Sequence, residues 1–169
     1  MLRAFREVAI EEPSVQLTIV GGGEEKGSLE RFCAELGIAE QVTFTGPVLY
    51  EEISTYLSAC DIFCFASVTE TQGLATLEAM ASGLPVVAAG ATGAASLVND
   101  GETGRLVEPD KPDAFAQACA EALAPYCMDD ALRLEHGANG EKASRAYSWD
   151  AINQSVVDTY LRLQKQRGR

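Results

Sequence analysis

The sequence has one histidine, one tryptophan, few cations and no long apolar run, and each shortage removes a class of function. With no stretch reaching the roughly 18 apolar residues of a membrane span, and with a start, Met1 to Glu7, unlike a signal peptide, the chain reads as cytoplasmic. Thirteen basic residues against twenty-five acidic ones leave a net charge of −12, which argues against nucleic acid or an anionic bilayer as a partner of the domain's average field. The five cysteines, Cys33, Cys60, Cys64, Cys119 and Cys127, form no CxxC pair, and an odd number leaves one unpaired. Cys60 and Cys64 flank Asp61 with no histidine nearby to complete a metal site, so they read as buried reduced thiols and no metal is expected. The lone His136 lies in a polar stretch and is expected at the surface rather than in catalysis.

What the chain does have is a regular alternation of strand and helix signals. At 169 residues and 47% apolar content it is one domain's worth of globular protein. Leu2 to Glu11 carries Leu2, Phe5, Val8 and Ala9 at helical spacing and ends before Pro13. Val15 to Val20 reads as a strand turning at Gly21-Gly22-Gly23. Glu24 to Leu36 is helical and stops at Gly37. Val42 to Thr45 is a second strand leaving through Gly46-Pro47, and Glu51 to Ala59 a short helix. Further strand signals fall at Ile62–Ala66, Val86–Ala89 and Arg105–Val107. Helices are expected from Pro112 to near Pro125 and across about 128–165, the last starting at Ser148. The pattern predicts an α/β fold with one doubly wound parallel sheet over 1–169.

The densest chemistry lies in Ser67 to Val87. Glu70 and Glu78 stand eight positions apart around the turn Gln72-Gly73-Leu74, and Leu74 to Ala81 is a run of good helix formers ended by Gly83 and Pro85. Strand, loop, helix, strand puts that turn at the carboxyl edge of a parallel sheet, where α/β proteins bind ligands. Free N–H groups of Gln72, Gly73 and Leu74 then face the edge at a positive helix end. Two carboxylates framing such donors suit a polyhydroxylated ligand that carries phosphate. The same spacing also fits a solvated helix with two surface glutamates.

The stretch resembles the Glu-x7-Glu signature of the retaining glycosyltransferases of family 4, through Thr69-Glu70-Thr71-Gln72-Gly73-Leu74, Leu77-Glu78-Ala79-Met80-Ala81 and Gly83-Leu84-Pro85-Val86-Val87. The resemblance, which runs over about residues 5 to 165, implies a Rossmann-like domain, the C-terminal half of a GT-B enzyme. It implies that Glu70, the catalytic candidate, binds the hydroxyls of the donor sugar, and that the N–H groups of Gln72, Gly73 and Leu74, beside Thr71, meet sugar and phosphate oxygens. Glu78 would hold the ribose. The turn Gly21, Gly22, Gly23 and the loop residue Val48 would lie near the nucleotide. The donor is then a UDP- or GDP-sugar used as substrate; no cofactor and no metal are implied. The acceptor is a hydroxyl of a lipid or glycan.

Parts of the family pattern are not in the sequence. Ser96 stands where many members carry a glutamate. The domain's first strand, with its diphosphate-binding Gly-Arg and lysine, and the N-terminal acceptor domain have no counterpart; Lys26 and Arg31 do not match those positions. The resemblance thus implies a partner, the acceptor domain of the same enzyme or of a second chain, through which alone any membrane contact would run. By itself the chain is expected to be inactive. A nucleotide-sugar epimerase-like GT-B domain and a noncatalytic nucleotide-binding or interaction module are the alternatives.

Overall fold

The computed structural model describes residues 1–167, which fold as alternating strands and helices. The strands are β1 (Leu17–Val20), β2 (Val42–Gly46), β3 (Phe63–Phe65), β4 (Val86–Ala89) and β5 (Gly104–Val107). The helices are α1 (Leu2–Glu11), α2 (Lys26–Leu36), α3 (Ile53–Ser58), α4 (Leu74–Ala81), α5 (Thr92–Leu97), α6 (Pro112–Met128), α7 (Asp130–Ser144) and α8 (Trp149–Arg167). Every strand pairing is parallel, as βαβ connections require.

Burial explains the layering. All four residues of β4 are buried, so this strand needs cover on both faces. With side chains alternating, Val87 packs with Ala4 and Val8 of α1 and with Cys119 and Leu123 of α6. Val86 and Ala88 point the other way, to Ala79 and Met80 of α4 and Ala94 and Leu97 of α5. Helix α1 serves two clusters at once: its other stripe, Leu2, Phe5 and Ala9, packs on Cys33 and Ile38 and against β1 and β2. The fold is Rossmann-like and doubly wound, as the alternation predicts.

The single sheet is a correction. Strands β1 and β2 form one ladder and β3-β4-β5 another, with no backbone pairing between β1 and β3. A cleft of about 590 Å³ opens there, lined by Ile19 of β1, by Ala66 and Val68 just past β3, and by the starts of α1 and α6. Its lining gathers the carboxyl ends of both ladders on one side of the molecule.

Two further expectations change. Helix α6 does not stop at Pro125 but runs through it to Met128. Proline loses its own N–H bond and crowds the carbonyl four residues back, a cost offset where the next residue, Tyr126, is buried to 1% exposure by staying helical. His136 is not at the surface: it is 7% exposed, and its Nδ1 lies 2.8 Å from the Tyr126 hydroxyl. Tyr126 lies beneath α7 and draws the ring inward, an arrangement that a polar local sequence does not reveal. Of the basic end, Lys165 to Arg167 close α8, and 168–169 lie outside the described residues.

Helix α7 is fixed against the end of α4 by a close approach. A methyl group on Gly137 would strike the carbonyl oxygen of Gly83, with the carbonyl carbon at 3.0 Å and Pro85 Cδ at 3.6 Å. Alanine would gain about 1 kcal/mol of helix propensity, but driving a carbon into fixed backbone costs about 1–3 kcal/mol or more. Overpacking wins. Gly137→Ala should therefore lower the urea midpoint despite improving the helix, and a raised midpoint would contradict this packing.

Candidate functional site

The loop between β3 and α4 is shaped by one glycine. Gly73 adopts φ 72, a left-handed conformation that side chains disfavour, and this reversal lets α4 start at Leu74. Ahead of it, the Glu70 carboxylate folds back so that Oε1 accepts from the N–H groups of Gln72 and Gly73, each at 3.2 Å. The Glu70 carbonyl accepts from the N–H of Gly93 at 3.0 Å, which ties the loop to the start of α5. Glu70 is half-buried, Thr71 and Gln72 are exposed, and Leu74 is 58% exposed. A carboxylate thus sits on the N–H groups at the start of α4, where partial positive charge favours it.

Glu78 lies one turn further along α4, half-buried, and no hydrogen bond or ion pair engages its carboxylate among the described residues. Around it α4 turns Thr76, Ala79 and Met80 into the core. The Thr76 hydroxyl is buried without a hydrogen-bond partner among the described residues.

A second cluster gathers at the carboxyl ends of β1 and β2. Gly21 donates to the Gly46 carbonyl at 3.2 Å, and Gly22 lies against the Pro47 ring, where a methyl would meet Cδ at 2.8 Å. Gly23 is exposed and open, and Val48 is half-buried beside this contact. The fold therefore groups Glu70, Gln72 and Gly73 in one cluster and Gly21, Gly22 and the Val48 loop in another. Tyr50 is 75% exposed, an open aromatic face on the same loop. Sequence reasoning missed Gly93, which looks like either of the two glycines in the stretch Gly90 to Gly93.

The cysteines show no sign of activation. Burial pushes all five thiols upward, and Cys64, enclosed with Cys127 and Cys119, reaches about 12. A low-pKa nucleophile needs the opposite shift. Burial also raises the Tyr126 hydroxyl to about 12. Groups held neutral in the folded chain support it fully below their unfolded values, near 9.0 for the thiols and 10.0 for the tyrosine. That support is lost as pH climbs toward the folded values, because the unfolded chain then sheds protons that the folded chain retains. Urea midpoints should be flat from pH 7 to 8.5 and fall steadily from about pH 9 to 11. A midpoint unchanged at pH 10.5 would refute the burial of these groups.

Parallel ladders with glycine loops and a helix start at their carboxyl edge define an α/β domain of the kind that binds ligands at that edge. The chain belongs to the group 1 glycosyl transferases: that family's profile matches residues 1–125, which includes both loop clusters. It is 31% identical over 169 residues to the D-inositol 3-phosphate glycosyltransferase of Streptomyces avermitilis, covering 95% of this chain and 36% of the relative. It superposes with TM-score 0.79 and 28% identity on Anabaena HepE in complex with UDP and glucose, covering 94% of this chain and 43% of that one. The C-terminal domain of LpcC, a group 1 glycosyl transferase from Francisella tularensis, matches at TM-score 0.76 and 29% identity, covering 86% of this chain and 75% of that domain. The chain thus spans little more than a third of the length of the Streptomyces enzyme and matches the C-terminal domain of LpcC.

Proposed function

We propose that this chain is the donor-binding domain of a retaining glycosyltransferase that moves a sugar from a nucleoside diphosphate to an acceptor hydroxyl. The observation that carries the reading is the Glu70 carboxylate resting on the N–H groups of Gln72 and Gly73. An anion already occupies the helix-start donors, and donor oxygens need the same partners. When a nucleotide-sugar arrives, its phosphate and sugar oxygens take over those N–H groups, with Thr71 and Leu74 alongside. Glu70, released, accepts from the sugar hydroxyls. Glu78, whose carboxylate engages no other group among the described residues, accepts from the ribose, and the Gly21 to Gly23 turn and the Val48 backbone border the nucleotide.

In this reading helix-start N–H groups stabilise the departing diphosphate. UDP is the favoured nucleotide, by likeness to the HepE complex. The acceptor site belongs to a further domain, of the same polypeptide or of a partner chain, and the isolated chain binds donor weakly without turning it over. The face of α8 fits that arrangement: Trp149 is 81% exposed, Tyr160 71% and Val156 50%, apolar groups suited to the remainder of the enzyme. We place the protein in the cytoplasm, where free thiols stay reduced. No helix among the described residues is long and apolar enough to cross a bilayer.

Calorimetric titration of the chain with UDP, GDP and their glucose, mannose and N-acetylglucosamine conjugates tests the reading. A dissociation constant near 1 mM corresponds to about −4 kcal/mol and is measurable at high protein concentration. Binding of one conjugate more tightly than its bare nucleotide supports the donor role. If the folded chain binds none of them, the noncatalytic module takes its place.

A further inference from the structure

We infer that Gly93 is a positioning residue for Glu70: the first turn of α5, directly after β4, is a backbone clamp that holds the loop carrying the carboxylate. The inference rests on the donor-binding reading above. Three observations converge on it. The Gly93 N–H donates to the Glu70 carbonyl at 3.0 Å, a direct backbone tie between the two loops. A methyl group on Gly93 would come within 2.7 Å of the Gln72 carbonyl carbon and 3.0 Å of Gly73 Cα, atoms that no rotamer change can move. In return, a methyl on Gly73 would meet Gly93's carbonyl carbon at 3.0 Å and Leu97 Cδ1 at 2.8 Å. The two backbones touch with nothing between them.

The turn itself is bent to make this contact. Thr92 sits at φ 48, the only residue other than glycine with positive φ among those described. A β-branched side chain disfavours that region, and such strain persists only where its surroundings impose it. Ala91 donates back to Ala89 at 2.7 Å, a tight reversal directly after β4, and Ser96 Oγ donates to the Gly93 carbonyl at 2.7 Å. The Gly93 carbonyl and N–H are therefore both engaged, one inside α5 and the other on the donor loop. Because Gln72 and Gly73 also donate to the Glu70 carboxylate, shifting their backbone shifts both the helix-start donors and the acid.

A glycine needed only for packing would lower stability and leave ligand preference intact. A clamp couples to Glu70. The test compares the 169-residue chain with Gly93→Ala, Glu70→Ala, the double variant, and Leu123→Ala as a remote core substitution that lowers stability. Amide spectra of the ligand-free proteins are recorded first, then titrations with UDP and UDP-glucose. Gly93→Ala should stay folded, move the amide resonances of Gln72 and Gly73, and cut the preference for UDP-glucose over UDP about tenfold, as Glu70→Ala does. The double variant should lose no more of that preference than Glu70→Ala alone, because the acid is already gone and displaced phosphate donors weaken UDP and UDP-glucose alike. Unmoved Gln72 and Gly73 amides, losses that multiply in the double variant, or an equal loss of preference in Leu123→Ala would each overturn the clamp. If the unaltered chain binds neither UDP nor UDP-glucose, the donor reading itself falls, and the positioning role of Gly93 falls with it.

Discussion

Glu70→Ala and Glu78→Ala should damage donor binding in different ways, and the contrast is the largest functional effect the site predicts. A hydrogen bond to a charged acceptor contributes about 1.5–3 kcal/mol net, roughly 10- to 100-fold in affinity. Glu78, whose carboxylate engages no other group among the described residues, is read as the partner of the ribose, which UDP and a UDP-sugar share. Its loss should weaken both by about the same factor. Glu70 is different, because in the free chain its carboxylate already satisfies two helix-start N–H groups. In the proposed reading, removing it abolishes the contact to the sugar but also frees those donors for phosphate. Glu70→Ala should therefore bind UDP as well as the unaltered chain or a few-fold tighter, and lose the extra affinity that the sugar confers.

The same substitution should cost about 0.5–1.5 kcal/mol of stability, since it removes the hydrogen bonds that hold the loop ahead of α4. Thermal unfolding measured beside the titrations separates the two effects. If Glu70→Ala weakens UDP as strongly as Glu78→Ala does, the carboxylate does not compete with the ligand for these donors, and the exchange proposed for it is wrong.

How far the site could be read in advance follows from how local its determinants are. Helix α4 begins and ends where Gly73 and Gly83 predict, because a left-handed glycine is a signal carried by one residue. The apolar run Val86 to Ala89 announces a strand buried on both faces in the same way. His136 and Tyr126 are ten positions apart on different helices, and nothing in either segment says that they meet. Gly93 was equally silent. Its importance comes from absent volume against a loop some twenty residues earlier, and a single sequence does not encode which glycine is the crowded one. The division into two ladders escaped for a related reason: strand signals count strands without fixing which edges pair.

That division leads to the largest expected effect on stability. Supplying one more parallel strand at the amino end of α1 should stabilise the domain by about 2–5 kcal/mol, by burying an apolar strand's side chains and pairing two edges. The place for it follows from handedness. Helix α1 starts beside the carboxyl-edge residues Ala66 and Val68 and leads into β1, as the crossover helix of a βαβ unit does. Right-handed crossovers are close to universal, and β2 already holds one side of β1, so a strand supplied before α1 belongs on the other side, facing β3. The cleft of about 590 Å³ lies at that position, with Ile19 on one wall and Ala66 and Val68 on the other. We propose that this strand joins the two ladders into one sheet of order β2-β1-new-β3-β4-β5. Fusing an apolar strand and loop ahead of Leu2 should raise the melting temperature by roughly 5–15 °C for a domain of this size. Amide exchange along β1 and β3 should slow together, since each strand gains a neighbour on its free edge. An extended chain that melts at the same temperature, with those amides exchanging as before, would show that the cleft does not receive a strand.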